Sequence, residues 1–173
     1  MKARMRRRRV VLVSIMLSLA AAAQQAPVKS PLLDHLAGHW VMRGTVSGRK
    51  TVHDVSAQWV LGHHYLQIHE IAREKDSRGQ PQYEATVYVG WNEQPKQYAC
   101  VWLDVYGGAS PASIGLATPG ENNLPFVFKD EKGEITFRNE FIYDPKADSW
   151  EWRLDNVQQR VPKPFARFKL TRQ

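Results

Sequence analysis

Residues 134–155 read EITFRNEFIYDPKADSWEWRLD, and the period of this stretch decides the class of fold. Ile135, Phe137, Asn139, Phe141 and Tyr143 alternate with mostly charged positions, among them Glu134, Arg138 and Glu140. Trp150, Trp152 and Leu154 then alternate with Glu151, Arg153 and Asp155. Successive side chains of a strand point to opposite faces, so a period of two describes two strands, each with one buried and one wet face. Asp144-Pro145-Lys146-Ala147-Asp148 between them has turn chemistry, and the pair reads as a hairpin.

The same rhythm extends in both directions. About ten segments rich in Val, Ile, Tyr, Trp and Phe, from HWVMRGTV at residues 39–46 to PFARFKLT at 164–171, are separated by turn-type stretches such as SGRK, NEQPK and KDEKG. Upstream of them SPLLDHLAG places Ser30 as an N-cap, Pro31 at the first helical position and Gly38 as a stop, which predicts one or two turns of helix. The expected fold is all-β: a single antiparallel up-and-down barrel of about eight to ten strands over residues 31–173, with a short N-terminal helix. No linker or internal repeat divides the chain.

The N-terminus is a different kind of sequence. Lys2, Arg4 and Arg6 to Arg9 precede an apolar run from Val10 and then small residues, the layout of a cleavable signal peptide over residues 1–23 with Ala21 and Ala23 at the cleavage site. The run from Val10 to Ala23 is 14 residues, short of the roughly 20 that a spanning helix needs. A periplasmic or secreted location without a membrane anchor after cleavage is therefore expected, with residues 24–30 as a leader. Cleavage removes six of the 24 basic residues and none of the 17 acidic ones, so the net charge falls from +7 to +1. A near-neutral domain lacks the phosphate-tracking charge of a nucleic-acid binder. The single cysteine, Cys100, excludes an internal disulfide and reads as a small buried apolar group.

Two stretches carry the candidate site. KQYACVWLDV, residues 96–105, has Ala99, Val101, Leu103 and Val105 on one face and Tyr98, Cys100, Trp102 and Asp104 on the other. Such a strand suits a barrel wall, packed on its apolar side and lining a cavity on its mixed side. WVLGHHYLQIHE, residues 59–70, concentrates His63, His64 and His69 in one place. His63 and His64 point to opposite faces of a strand, and His63 and His69 lie about 20 Å apart along it. Zinc needs its nitrogens at about 2.0–2.1 Å, so no metal site is expected, and the stretch reads as a hairpin turning at Gly62. A tight turn there would fold the strand back on residues 51–61 and bring His53 diagonally near His69. The expected ligand contacts are Tyr98, Trp102 and Asp104 on the cavity wall, with His64, His69 and Glu70 as polar partners. No catalytic or phosphate-binding motif occurs in the sequence.

LAGHW at 36–40, WVLG at 59–62, WLDVYGG at 102–108, FIYDPKADSWEWRLD at 141–155 and PFARFKLTR at 164–172 together resemble a bacterial family of exported, lipocalin-like domains of unknown function. The G-x-W of LAGHW is similar to the opening signature of the wider lipocalin and fatty-acid-binding (calycin) superfamily. The resemblance spans residues 32–172 and implies a barrel with an internal cavity. It further implies that Trp40, next to Gly38, closes one end, with a basic residue of the last strand, Arg172 or else Arg167, packed across its ring. It carries over no catalytic residue and no cofactor. The expected function is thus binding of a small apolar or amphipathic molecule. The alternatives are an isomerase, lyase or hydrolase using Asp104 or Glu70 with a histidine partner, and a filled structural or protein-binding barrel.

Overall fold

A computed structural model describes residues 30–173; the segment read as a signal peptide lies outside the described residues. One short helix, α1 (Pro31–Leu36), precedes ten strands: β1 (Gly38–Val46), β2 (Arg49–Val60), β3 (Tyr65–Ala72), β4 (Glu84–Asn92), β5 (Gln97–Asp104), β6 (Ile114–Ala117), β7 (Asn123–Lys129), β8 (Ile135–Asp144), β9 (Ser149–Gln158) and β10 (Val161–Arg172). Each strand pairs antiparallel with the next, and β10 returns to β1 to close the barrel. Closure leaves no unpaired sheet edge, which removes the aggregation hazard of an open β-sheet. The chain is an all-β, up-and-down barrel of ten strands, the upper end of the expected range.

The alternation read from residues 134–155 sets the inside of the β8–β9 hairpin. Asn139, Phe141, Tyr143, Trp150, Trp152 and Leu154 are buried, and their alternate neighbours face outward. On β3 the inward set is Leu66, Ile68, Glu70 and Ala72, so Tyr65, Gln67 and His69 lie on the outer wall. The β2–β3 turn has Leu61, Gly62 and His63 all at positive φ, a tight reversal that glycine makes cheap.

One end of the barrel is plugged. Ser30 caps α1 by accepting a hydrogen bond from the Leu33 amide at 3.2 Å, and Leu33 and Leu36 are fully buried over the end of the lumen. Trp40 sits beneath them, itself buried, with its indole N–H donating to the Leu36 carbonyl at 2.8 Å. Arg172 is the direct cross-strand partner of Trp40 and lies over its ring at 4.2 Å. The guanidinium also donates to the carbonyls of Ala37 and His35 at 3.1 and 3.0 Å and pairs with Asp148, holding that carboxyl below its usual range. Gly38 suits this position because its φ is +131°, and a Cβ there would stand 2.6 Å from the Arg172 guanidinium and push it off the Trp40 ring. Arg167 instead pairs with Asp155, away from this end.

Cys100 is buried in the packed half, and burial pushes its thiol pKa up to about 12. Because only the thiolate reacts, an aromatic disulfide reagent at pH 8 is expected to leave Cys100 unmodified in the native protein and to titrate one thiol in denaturant. Fast native-state labelling would contradict this placement.

The outer face of β5 departs from expectation. Val101, Leu103 and Val105, read as the packed side, are 38%, 40% and 53% exposed, and Ile114 and Leu116 of the neighbouring strand are similarly open. A closed barrel has a single interior, and the mixed face of β5 occupies it. The apolar face is therefore left on the outside, where no described element covers it.

Candidate functional site

Large side chains fill only the plugged half. Beyond Trp102 and Trp152 the lumen opens into a cavity of about 820 Å³, whose mouth is ringed by the turn after β1, the segment before β4 and the loop after β5. Its floor is aromatic. Trp152 stacks on Phe141 at 4.3 Å and stands 5.7 Å from Trp102, with Phe168 at 6.4 Å. Trp152 also donates its indole N–H to Asn139, so the floor is fixed by a buried hydrogen bond as well as by packing. A volume of this size lies within the roughly 300–1,000 Å³ typical of small-molecule pockets. A barrel filled throughout is not what the lumen holds.

One wall is polar. The register of β3, β4 and β5 sets Glu70, Ala85 and Asp104 in a single inward row, with the small Ala85 leaving open space between the two carboxyls. On the other side of Glu70, the β2–β3 register pairs Val55 with Glu70 and His53 with Ala72, which puts His53 diagonally beside Glu70. His53 Nδ1 and Glu70 Oε1 are in hydrogen-bond contact, and each side chain is only 5% exposed. His53 Nε2 meets the Thr51 hydroxyl at 2.8 Å, and that hydroxyl donates to Glu74 Oε2 at 2.9 Å. Glu74 also accepts from the Val52 amide at 3.1 Å. The result is a continuous chain, Glu70 to His53 to Thr51 to Glu74, running from the lumen toward the mouth. Tyr83 completes the wall: its hydroxyl oxygen accepts from the Trp102 indole N–H at 3.1 Å, and its ring lies 6.0 Å from His53.

The electrostatics follow from burial. Desolvation pushes the Glu70 carboxyl up, His53 opposes that shift, and the nearby Asp104 adds to it. Tyr83 is raised for the same reason, first by desolvation and then by the Glu70 charge, so its hydroxyl keeps its proton. Desolvation also pushes Glu74 up, but hydrogen bonds from its own backbone, Thr51 and Val52 outweigh it and leave that carboxyl below its ordinary range. A neutral or internally compensated polar group deep in an aromatic pocket is suited to orienting a ligand.

Of the residues expected at the site, Trp102, Asp104 and Glu70 line the cavity. Tyr98, His64 and His69 do not. Tyr98 points inward but at the plugged end, where its hydroxyl donates to Ser30 at 2.5 Å and ties the helix cap to β5. His64 belongs to the β2–β3 turn, and His69 faces outward with Glu84 at 2.8 Å. His63 stacks on Trp59 at 4.1 Å beside that turn. His53 therefore meets Glu70 rather than His69, because positions 53 and 69 fall on opposite faces of the wall. Among the described residues no three His, Cys, Asp or Glu side chains are grouped so as to hold a metal ion.

His53, Thr51, Glu74 and Tyr83 are the members of this polar wall that sequence reading did not assign to the site. His53 carried a signal, since Val55 and Ala57 share its alternation and mark an inward face. Tyr83 carried one too, since it is in phase with Ala85, Val87 and Val89 of β4; it lies just before that strand, held by its carbonyl to the Ala72 amide at 2.9 Å. No protein-family model matches the chain, and no curated protein matches it.

Proposed function

We propose that the protein is an exported binding module for a small apolar or amphipathic molecule held in the open half of the barrel. The observation that carries this reading is the cavity of about 820 Å³ with an aromatic floor and one hydrogen-bonded polar wall. An apolar body would rest on Trp102, Trp152 and Phe168, and a single polar group would face Tyr83, Glu70 and Asp104. Export is supported by the basic, apolar and small-residue order of the first 23 residues. The calycin-like resemblance agrees with a ten-stranded closed barrel.

Titration with the neutral amphipathic dye N-phenyl-1-naphthylamine tests the reading. Dye fluorescence should rise to a one-to-one end point, with quenching of tryptophan emission from the floor. Ala72→Trp, which places an indole on the cavity wall, should abolish the signal while the variant still melts cooperatively. Dye binding that is unchanged in Ala72→Trp would place the site outside the lumen and end this proposal.

A further inference from the structure

The polar wall has the parts of a proton-transfer device. The Thr51 hydroxyl has one proton and gives it to Glu74, so toward His53 it can only accept, and Nε2 of His53 carries a proton. The Nδ1 of a neutral His53 is then bare, and the contact with Glu70 holds one proton between Nδ1 and Oε1. Only the Oε1 atom of Glu70 is engaged by a described residue, and the side chain lines the cavity. Tyr83 uses its oxygen to accept from Trp102, and no described residue takes its proton. An orientable acid or base and an unspent hydroxyl donor thus border one aromatic pocket.

We infer that the lumen catalyses proton transfer at the carbon next to a carbonyl in a neutral amphipathic ketone, with Glu70 as the base and the Tyr83 hydroxyl on the carbonyl oxygen. This rests on the cavity being a small-molecule site. Glu70 takes the α proton, the electron pair of the C–H bond becomes the C=C bond of an enolate, and negative charge collects on the oxygen facing Tyr83. Return of a proton to the same carbon, or to the γ carbon of an unsaturated ketone, restores the carbonyl. Nothing is oxidised or reduced, and no co-reactant is consumed. While Glu70 acts as base, the proton it shares with His53 stays on Nδ1; the α proton lands on the other carboxyl oxygen of Glu70, which no described residue engages, and from there it can exchange with solvent through the mouth of the cavity. His53 and Thr51 are positioning residues in this scheme. The ionisable groups facing Glu70 are His53 from β2, Tyr83 from the segment before β4 and Asp104 from β5; β9 and β10 contribute Trp152 and Phe168, which do not titrate.

The test is deuterium uptake by 4-phenylbutan-2-one in D₂O, followed by mass spectrometry, with binding read separately from tryptophan quenching on the same mature protein. At saturating probe, uptake should exceed that in protein-free buffer by roughly 10²-fold, the lower range for a positioned base. Glu70→Gln should return uptake to the buffer rate at saturating probe, and Tyr83→Phe should lower it tenfold or more. If Glu70→Gln does not fold, Glu70→Asp, which keeps the charge but withdraws the carboxylate, should show at least a tenfold loss. The rate should climb with pH as Glu70 ionises, and His53→Gln should move that climb to higher pH, a shift that mere loss of packing would not cause. Quenching without uptake above buffer overturns the proton-transfer inference and leaves the binding module standing. Neither quenching nor uptake overturns both, and uptake that persists in Glu70→Gln removes Glu70 as the base.

Discussion

Trp40→Ala is expected to destabilise the protein by about 3–5 kcal/mol, the cost of emptying a buried aromatic site. The side chain is fully buried, and three separate contacts depend on it. Its indole N–H satisfies the Leu36 carbonyl at the end of α1, its ring supports the Arg172 guanidinium, and its bulk seals the lumen under Leu33 and Leu36. Without the ring, Arg172 loses its platform and α1 loses the floor on which it sits. For a domain of this size each kcal/mol moves the midpoint by about 2–4 °C, so a drop on the order of 10 °C in thermal melting should be seen. Trp40→Phe should cost less, because it keeps an aromatic face for Arg172 and gives up the indole hydrogen bond. A loss below about 1 kcal/mol in Trp40→Ala, outside the range for core aromatics, would mean that α1 and Arg172 close the barrel without it.

His53→Leu should be nearly as damaging, for an electrostatic reason. Removing one partner of a buried ion pair typically costs about 3–5 kcal/mol, because the other is left uncompensated. Glu70 cannot relax into water: it is as buried as His53, and His53 is what opposes the desolvation that raises its pKa. In the variant the folded-state pKa of Glu70 therefore rises further above its unfolded value. The sign follows from proton uptake. A raised folded pKa means that the native state holds a proton the unfolded state has released, so stability is greatest below the unfolded carboxyl pKa and is lost as pH rises toward the folded one. The penalty relative to the parent protein should thus be larger at pH 7 than at pH 4 in chemical denaturation. The double variant His53→Leu/Glu70→Leu should recover most of the loss at pH 7, since an apolar pair of similar volume requires no compensating charge. A penalty that is the same at both pH values, and is not recovered in the double variant, would show that packing rather than charge carries the effect.

These two predictions also separate what was legible in the sequence from what was not. Wherever alternation was unbroken, as from Ile135 to Tyr143 and from Trp150 to Leu154, the inward set follows from the two-residue period alone. Gly38, Trp40 and Arg172 were legible in a weaker way, through resemblance, because three positions at the two ends of a chain do not reveal that they meet. Tyr83 continues the alternation of Ala85, Val87 and Val89, which marks its face but not its meeting with Trp102. Tyr98 and Asp104 share one face of one strand, yet they stand at opposite ends of the barrel, and depth along a strand is invisible to a period of two.

The sequence by itself determined the all-β class, the positions of most strands and the inward face of each clear one, because these depend on spacing between neighbours. Only the tertiary structure decided which strands touch at which register, and so which inward residues share a level of the lumen. The His53–Glu70 contact depends on the β2–β3 register, which a one-residue slip would have destroyed by turning His53 outward. The open half of the barrel depends on ten strands closing around too few large side chains to fill it, a sum over the whole chain that no single stretch contains.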